Sequence, residues 1–232
     1  MPGITVVLPA YNEEANVPRM VAAVIDTMQK VGDDYEVIVV DDGSKDRTAE
    51  VTRELAARFP TVRLVKHDGN QGYGAAVHTG FYSATKDLVF MTDADAQFDV
   101  SEITRLLPLV TEADLVIGYR AKRQDPFIRK LNALGWKILI NTLFGYTARD
   151  VDCAFKLFKR EVLDHISIES RGATFSAEFL VRARRKGYRI REVPVTHLPR
   201  LAGSPTGARP DVILRAFREL IRFHRRLSRE KA

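Results

Sequence analysis

Two aspartates one residue apart, Asp93 and Asp95, are the strongest candidates in this chain for holding a metal ion. On extended backbone their side chains point to the same side, and two carboxylates held together repel unless a cation lies between them. Gln97 follows on the same side and adds a carbonyl oxygen. Mg²⁺ and Mn²⁺ take oxygen ligands and commonly share them with phosphates. We therefore predict a divalent metal site at Asp93, Asp95 and Gln97.

Asp41 and Asp42 form a second acidic pair, which follows another apolar segment. A carboxylate in this position accepts hydrogen bonds from a ribose or a base edge in doubly wound nucleotide sites. Alternatively, residues 42–44 only form a turn, and Ser44 or Asp46 caps the helix that follows. The two roles are compatible, and the sequence leaves both open.

A glycine-rich segment, Asn70-Gln71-Gly72-Tyr73-Gly74, opens a predicted helix. Glycines let the backbone approach a ligand closely, and a helix N-terminus attracts anions. The segment lacks the G-x-G-x-x-G order of a dinucleotide site. We therefore favour a turn with tight packing here over direct ligand contact.

The elements around these residues predict an α/β fold with a mostly parallel sheet. Strands are predicted at 4–9, 35–40, 62–66, 88–92 and 114–119, with helices at 13–31, 46–59, 71–85 and 101–111. Apolar strands alternating with helices favour a sheet covered on both faces, whose ligands bind at the carboxyl ends of the strands. An isolated Asp-x-Asp is usually a solvated turn, but Asp93 and Asp95 end such a strand. This position favours the metal site.

The second half of the chain is less regular. Helices are predicted at 127–146, 174–186 and 211–228, strands at 154–158 and 188–196, and a loop at 199–210.

The composition is that of a globular protein, with 232 residues of which 45% are hydrophobic and 28% charged. A single cysteine, Cys153, excludes an intrachain disulfide. Residues 182–232 carry 15 Lys and Arg against 4 Asp and Glu, whereas residues 1–181 carry 21 against 26. This asymmetry indicates an anionic partner, such as nucleic acid, anionic lipid or a phosphorylated substrate, or else a solvated basic helix.

Four segments in this order and spacing resemble glycosyltransferase family 2: VVLPAYNEEANV, VVDDGSKDRT, NQGYGAAVHTG and TDADAQFD. GYR, CAFKLFKREV and EVPVTHLPR extend the resemblance, which covers most of residues 4–210. The most similar branch is that of the polyprenyl-phosphate sugar synthases, such as dolichol-phosphate mannose synthase. The resemblance implies a GT-A fold, a nucleotide-sugar donor, Mg²⁺ or Mn²⁺, and inversion at the anomeric carbon.

Carried over by position, the resemblance implies roles for individual residues. The implied donor site comprises Pro9, Ala10, Tyr11, Glu13, Val40, Asp42, Gln71, Gly72, Asp93, Ala94, Asp95, Gln97 and Arg120. The implied acceptor side comprises Arg129, Lys130, Arg200 and Ser204. Asp95, Arg120 and Arg200 are the catalytic candidates, since charge develops on a departing diphosphate. Thr206 replaces a lysine that related synthases often carry. One phosphate contact of those synthases is therefore not assured here, and the donor can differ from GDP-mannose.

The acceptor decides whether a general base is needed. A phosphate is already anionic at neutral pH and needs only cations, whereas a hydroxyl needs a base. The basic acceptor side therefore favours a polyprenyl phosphate, which would receive the sugar from GDP-mannose or a UDP-hexose. For a hydroxyl acceptor the candidate base is Glu178, whose alternative role is that of a capping or salt-bridged glutamate.

Two further classes stay open as alternatives, a non-catalytic nucleotide-sugar protein and a nucleic-acid-binding protein. We predict no nucleic-acid partner, because carboxylates at the strand ends would repel a phosphate backbone.

The C-terminal helix is amphipathic and basic, with apolar residues at Ile213, Leu214, Phe217, Leu220, Ile221 and Leu227. This pattern is typical of an interfacial helix on anionic lipid, and equally of a helix docked on the protein. The helix predicted at 127–146, with Trp136 and Tyr146, is a second candidate for lipid contact. We expect a peripheral enzyme at the cytoplasmic face of a membrane, with a separate membrane anchor protein as a possible partner. We divide it into a catalytic domain, 1–209, with a donor half (1–120) and an acceptor half (121–209), and a terminal helix, 210–232.

Overall fold

In the computed structural model the described residues are 2–32, 34–121, 127–199 and 210–230, and of residues 127–133 and 210–213 only the backbone is described. The elements in chain order are β1 (Ile4–Ala10), α1 (Val17–Val31), β2 (Tyr35–Asp41), α2 (Thr48–Arg58), β3 (Val62–Lys66), α3 (Tyr73–Tyr82), β4 (Leu88–Met91), α4 (Ile103–Leu106), β5 (Leu115–Arg120), α5 (Phe127–Phe144), β6 (Lys156–Lys159), α6 (Val162–His165), α7 (Phe175–Arg185), β7 (Ile190–Val195) and α8 (Pro210–Arg229).

The strands form one sheet in the order β3-β2-β1-β4-β6-β5-β7. β6 is antiparallel to its neighbours β4 and β5, and the other neighbouring strands run parallel. Every residue of β1 and β4 is buried, as a sheet covered by helices on both faces requires. The predicted α/β fold with a mostly parallel sheet is confirmed.

Several helices begin later than the sequence predicts, among them α2 at Thr48 rather than at residue 46 and α7 at Phe175 rather than at residue 174. α1 begins at Val17 rather than at Glu13, because the carbonyl of Glu13 accepts hydrogen bonds from the amides of Asn16 and Val17 and closes a turn. α3 begins at Tyr73 rather than at residue 71, because Gly72 has a φ of +104°, which interrupts a helix.

Other predicted elements are irregular or shorter, including β7, which spans Ile190–Val195 rather than 188–196, and α5, which ends at Phe144 rather than at residue 146. The predicted helix at 101–111 is a short α4 between two 3₁₀ turns, at Val100–Glu102 and Leu107–Thr111. Pro108 lies at the start of the second turn and has no amide hydrogen to continue an α-helix. The strand predicted at 154–158 begins at Lys156.

The C-terminal helix α8 has two apolar faces. One face packs onto the domain through Ala216, Leu220, Phe223 and Leu227, which are 6%, 1%, 0% and 2% exposed. Phe223 stacks on Phe144 of α5 with ring centroids 4.9 Å apart. The other face leaves Leu214, Phe217 and Ile221 exposed. The helix is therefore docked on the protein and still presents apolar side chains to the outside.

In the described part of the chain, no helix combines the length and the apolar character needed to cross a membrane.

The two phenylalanines of α8 provide a test of this arrangement. Phe223→Ala removes a fully buried ring and should lower the free energy of unfolding by about 3–5 kcal/mol. Phe217→Ala truncates a ring that is 43% exposed and should cost about 1 kcal/mol or less. Urea unfolding followed by circular dichroism measures both, and equal losses would contradict the docking of α8 through Phe223.

Candidate functional site

The carboxyl ends of β1, β2 and β4 meet at one edge of the sheet and define the candidate site. Ala10 at the end of β1 pairs with Asp41 at the end of β2, and Val7 pairs with Met91 at the end of β4. Asp93 therefore follows β4 at the edge where β1 and β2 also end. The apolar strands position this edge, and the loops that leave it carry the polar residues.

Asp93 and Asp95 lie in the loop after β4, as predicted. The hydroxyl of Tyr73, the first residue of α3, donates to Asp93 Oδ1 at 3.0 Å. Asp95 Oδ1 accepts the amide of Gln97 at 3.1 Å, across Ala96, which has a φ of +57°. Burial, together with the negative charge of Asp95, raises the pKa of Asp93 to about 7. Two carboxyl groups held close together raise each other's pKa in this way, because each negative charge disfavours ionisation of the other.

The donor set fits a hard divalent cation that completes its coordination elsewhere. Among the described residues, no group of three or more His, Cys, Asp and Glu is placed to hold a metal ion. Mg²⁺ is commonly held by one or two carboxylates together with water and substrate phosphates. Asp93 and Asp95 therefore suit an ion that arrives with, or binds beside, a diphosphate.

Gln97 connects the metal pair to the segment after β7. Its side-chain amide donates to the carbonyl of Leu198 at 3.1 Å, and the amide of Leu198 donates back to the Gln97 carbonyl at 2.8 Å. Phe98 and His197 form a bridge beside this pair. The segment after β7 is thus tied to the loop that carries the metal pair.

Asp42 is buried and fastens the glycine-rich turn. Its Oδ1 accepts the amide of Gln71 at 2.9 Å and lies 2.7 Å from His67 Nδ1, and its Oδ2 accepts the amide of Gly72 at 2.8 Å. A Cβ on Gly74 would lie 2.4 Å from the Gly172 carbonyl oxygen, so only glycine fits there. This geometry supports the prediction of a turn with tight packing, and it gives Asp42 a positioning role that the sequence did not reveal.

The loops after β1 and β2 are joined to each other. The amide of Asn12 donates to Ser44 Oγ at 2.9 Å, and the amide of Lys45 donates to Asn12 Oδ1 at 2.8 Å. Of the two predicted caps, Asp46 accepts the amide of Thr48 at the start of α2, at 3.0 Å. Ser44 instead serves the β1 loop.

The remaining residues of the predicted donor site at β1 and β2 are mostly buried. Glu13 accepts the side-chain amide of Asn16 at 2.6 Å, so its carboxylate holds the turn before α1. Val40 and Ala94 are 0% and 1% exposed. They can meet a ligand only through their backbone. Pro9 and Ala10 are buried in β1, and Tyr11 follows them half-buried at the edge.

Arg120 lies at the end of β5 and has a fixed partner. Its Nε and Nη2 each donate to a different oxygen of Asp150 at 2.7 Å, and both side chains are 12% exposed. Hydrogen bonding to Asp150 and the charge of that carboxylate outweigh burial and raise the pKa of Arg120. The expected contact of Arg120 with phosphates is therefore limited to the part of the guanidinium that Asp150 does not hold.

Sequence reasoning missed Lys156 and Tyr73. Lys156 is 1% exposed, and its ammonium donates to the carbonyls of Val151 and Cys153. It pairs with Met91 across β4 and β6, so this buried cation lies beside the strand that leads to Asp93. The position of Lys156 beside β4 follows from the antiparallel pairing of β6, which the sequence does not predict. The sequence places Tyr73 within the glycine-rich turn and predicts no contact for it. The one signal in the sequence is a hydroxyl at the start of a helix that could reach a neighbouring loop.

The candidate base Glu178 has a structural environment. It is 0% exposed and accepts hydrogen bonds from the amide and the hydroxyl of Ser170, from Arg182 and from Arg226. These hydrogen bonds outweigh burial and lower its pKa. A carboxylate sealed from solvent and held ionised by donors is poorly placed to take a proton from an acceptor hydroxyl, so this environment does not favour Glu178 as a base. Its alternative role, that of a salt-bridged glutamate, is the one observed, although in the interior.

The side chains of the predicted acceptor residues lie outside the described part of the structure. Arg200 and Ser204 fall outside the described residues, as does Thr206. Arg129 and Lys130 lie in α5, within the part whose side chains are not described. Their roles stay predictions.

Comparisons with known proteins identify the family. The model of glycosyl transferase family 2 matches residues 5–167. A dolichyl-phosphate beta-glucosyltransferase of Trichomonas vaginalis is 35% identical over 212 residues, covering 83% of this chain and 64% of the relative. An undecaprenyl-phosphate 4-deoxy-4-formamido-L-arabinose transferase of Pectobacterium atrosepticum is 35% identical over 163 residues, covering 69% of this chain and 50% of the relative. The chain belongs to glycosyltransferase family 2, and it spans about two thirds or less of the length of these relatives.

A solved structure gives the same fold. Glucosyl-3-phosphoglycerate synthase from Mycobacterium tuberculosis, in complex with Mg²⁺ and uridine diphosphate, matches with a TM-score of 0.71 at 21% identity. The match covers 96% of this chain and 79% of that one. The predicted GT-A fold is confirmed.

The raised pKa of Asp93 predicts a pH-dependent affinity for metal. Below about pH 7 the carboxyl is protonated, so Mn²⁺ must displace a proton, and its apparent affinity should fall up to about tenfold per pH unit. Above that pH the affinity should be constant. Titrations of Mn²⁺ between about pH 5.5 and 8.5, followed by the electron paramagnetic resonance of the free ion, measure this profile.

Two variants test whether Asp93 is the group that causes the pH dependence. Asp93→Asn should bind Mn²⁺ weakly and lose the rise toward neutral pH, because the titrating group is absent. Asp114→Asn should keep the wild-type profile, since Asp114 pairs with Lys159 at the opposite end of β5. A wild-type affinity that is flat from acid to neutral pH would contradict the coupling between Asp93 and the ion.

Proposed function

We propose that this protein transfers a hexose, with inversion, from a nucleotide-diphosphate sugar to a polyprenyl phosphate. The observation that carries the proposal is the pair Asp93 and Asp95 at the carboxyl edge of the sheet, where two carboxylates could hold a divalent cation beside a diphosphate. The names of the curated relatives, which include dolichyl-phosphate and undecaprenyl-phosphate transferases, support the choice of acceptor.

A UDP-sugar is the donor that we favour over GDP-mannose. Curated relatives are named as glucosyltransferases, and structural neighbours were solved with uridine diphosphate or UDP-glucose.

The chain's own residues favour a direct displacement. A bound Mg²⁺ or Mn²⁺, held by Asp93 and Asp95, would supply positive charge to the leaving diphosphate. Lys156 and Arg120 already lower the pKa of Asp93 by their charge, so they add positive potential at the same place. An acceptor phosphate oxygen would form the new bond to the anomeric carbon as the bond to the leaving diphosphate breaks. That step needs no general base, which agrees with the sealed position of Glu178.

A transfer assay separates this proposal from its alternatives. With radiolabelled UDP-glucose, Mn²⁺ and undecaprenyl or dolichyl phosphate in detergent, the wild-type protein should form a lipid-linked product. Asp95→Asn should lower the rate at least about a thousandfold, since electrostatic stabilisation of the leaving group is lost. Asp26→Asn, which changes an exposed acid on α1 that pairs with Lys30, should keep the wild-type rate. Transfer to 3-phosphoglycerate but not to lipid would instead establish a hydroxyl acceptor.

The membrane surface that such an acceptor requires is proposed on α5 and α8. Five exposed apolar side chains form what we call the apolar ridge: Leu134, Ile138, Leu214, Phe217 and Ile221. Trp136 of α5 contacts Phe217 of α8 with ring centroids 5.7 Å apart, so the two helices that carry these side chains touch at Phe217. Exposed Arg215, Arg218 and Arg222 flank the ridge on α8. Apolar side chains bordered by arginines match the interface of an anionic bilayer.

Sedimentation with vesicles tests the ridge. The double variant Phe217→Ser/Ile221→Ser should bind vesicles of phosphatidylserine and phosphatidylcholine about a hundredfold more weakly, because each side chain contributes about 1.5 kcal/mol on burial in lipid. The control Tyr82→Ser changes an exposed aromatic residue on α3 and should bind normally. Unchanged sedimentation of the double variant would exclude the ridge as the lipid contact. The cytoplasmic location and a separate anchor protein stay predictions.

A further inference from the structure

The inner face of α8 holds a loop that lies behind the candidate metal site. We call residues 169–174 the rear loop. Arg226 of α8 pairs with Glu169 at 3.0 Å and with Glu178 at 3.3 Å, so one guanidinium joins the rear loop to α7. The hydroxyl of Thr174 donates to the carbonyl of Ala216 at 3.1 Å.

A second contact shows how closely α8 approaches the rear loop. A Cβ built on Gly172 would lie 2.6 Å from Glu219 Oε2, so the carboxylate of Glu219 rests against the loop backbone. Glu219 is itself paired with Arg215 of the same helix at 3.2 Å. The rear loop is therefore braced along much of its length by one helix.

The rear loop in turn supports the start of α3. The amide of Ala75 donates to the carbonyl of Arg171 at 2.8 Å. A Cβ on Gly72 would lie 3.2 Å from the same carbonyl oxygen, and a Cβ on Gly74 would clash with the Gly172 carbonyl. The first turn of α3 thus lies in contact with the loop backbone, and a shift of the loop must move it.

Tyr73 transmits that position to the metal pair. It lies between the two glycines that contact the rear loop, and its hydroxyl donates to Asp93 Oδ1 at 3.0 Å. A phenol on a fixed helix start restricts the directions that the Asp93 carboxylate can take. A carboxylate oriented before binding loses less conformational freedom when it meets an ion.

We propose that Arg226 is a positioning residue for the metal site, which acts through the rear loop and Tyr73 on the orientation of Asp93. This inference gives α8, a helix outside the sheet edge, a part in binding Mn²⁺ and a nucleoside diphosphate. It rests on the proposed function, because the proposed donor is what identifies the nucleotide. The helix that presents the apolar ridge outward therefore also supports the donor site inward.

Mn²⁺ binding by Arg226→Ala and Tyr73→Phe, singly and together, tests the inference. The affinity for Mn²⁺ is measured by calorimetry with and without UDP, so that the number of sites and the dissociation constant are obtained separately. Arg226→Ala should weaken Mn²⁺ binding about tenfold with the number of sites unchanged, and Tyr73→Phe should weaken it by a similar factor. Arg229→Ala removes an exposed arginine of the same helix and should bind like the wild type.

The double variant distinguishes transmission through Tyr73 from a general loss of structure. If Arg226 acts through Tyr73, the double variant should bind about as weakly as the weaker single variant, because the second change removes nothing further. Independent, multiplicative losses would overturn the inference. Fewer sites at an unchanged dissociation constant would overturn it as well, since that result describes partly unfolded protein.

The outcome for the wild-type protein separates this inference from the proposed function. Binding of Mn²⁺ without any effect of UDP or GDP would refute the nucleotide donor, while the cycle of variants still decides the role of Arg226. Absence of Mn²⁺ binding by the wild-type protein would overturn both.

Discussion

The repulsion between two carboxylates held at one edge of the sheet is the constraint on which the site depends. Asp93 and Asp95 are fixed there by the end of β4 and by a turn at Ala96 with a positive φ. Partial burial and the charge of Asp95 together raise the pKa of Asp93. The hydroxyl of Tyr73 and the buried ammonium of Lys156 offset part of this rise. A divalent cation held by the two carboxylates, as proposed, would offset the rest.

Hydrogen bonds from their own side chains hold the loops of this edge in place. Asn12 exchanges hydrogen bonds with the β2 loop, Asp42 holds the glycine-rich turn, and Gln97 exchanges hydrogen bonds with Leu198. Each contact joins segments that are distant in sequence. Polar groups fixed before a ligand arrives lose little freedom on binding, which is the condition for electrostatic stabilisation of a leaving group.

Much of the architecture could be predicted because local patterns determine it. Apolar strands alternating with helices indicate a covered parallel sheet, and the carboxyl-end rule then selects Asp93 and Asp95 from all the acids of the chain. The antiparallel insertion of β6 could not be predicted, because a short apolar strand carries no mark of its direction. Lys156 was missed for that reason, since its place beside β4 follows from the insertion alone.

The environments of Glu178 and Arg120 could not be predicted either, because tertiary contacts determine them. The sequence around Glu178 does not distinguish a catalytic glutamate from a buried, salt-bridged one. Its partners Ser170 and Arg226 come from a loop and from a helix near the end of the chain. Arg120 ends a strand, as a phosphate ligand would, but its partner Asp150 lies beyond α5. Charge and exposure depend on contacts between distant segments, and composition and spacing do not contain them.

The strand order also constrains how the chain is made. β5 lies between β6 and β7 in the sheet, although both of these strands follow it in sequence. During synthesis β5 therefore emerges with its edges unpaired and must wait for residues 156–159, a delay of a few seconds at about 5–20 residues per second. Over that interval β1 to β4 can already form a sheet, while an apolar strand remains exposed to other chains. The antiparallel strand that brings Lys156 to the site thus leaves the nascent protein briefly prone to aggregation.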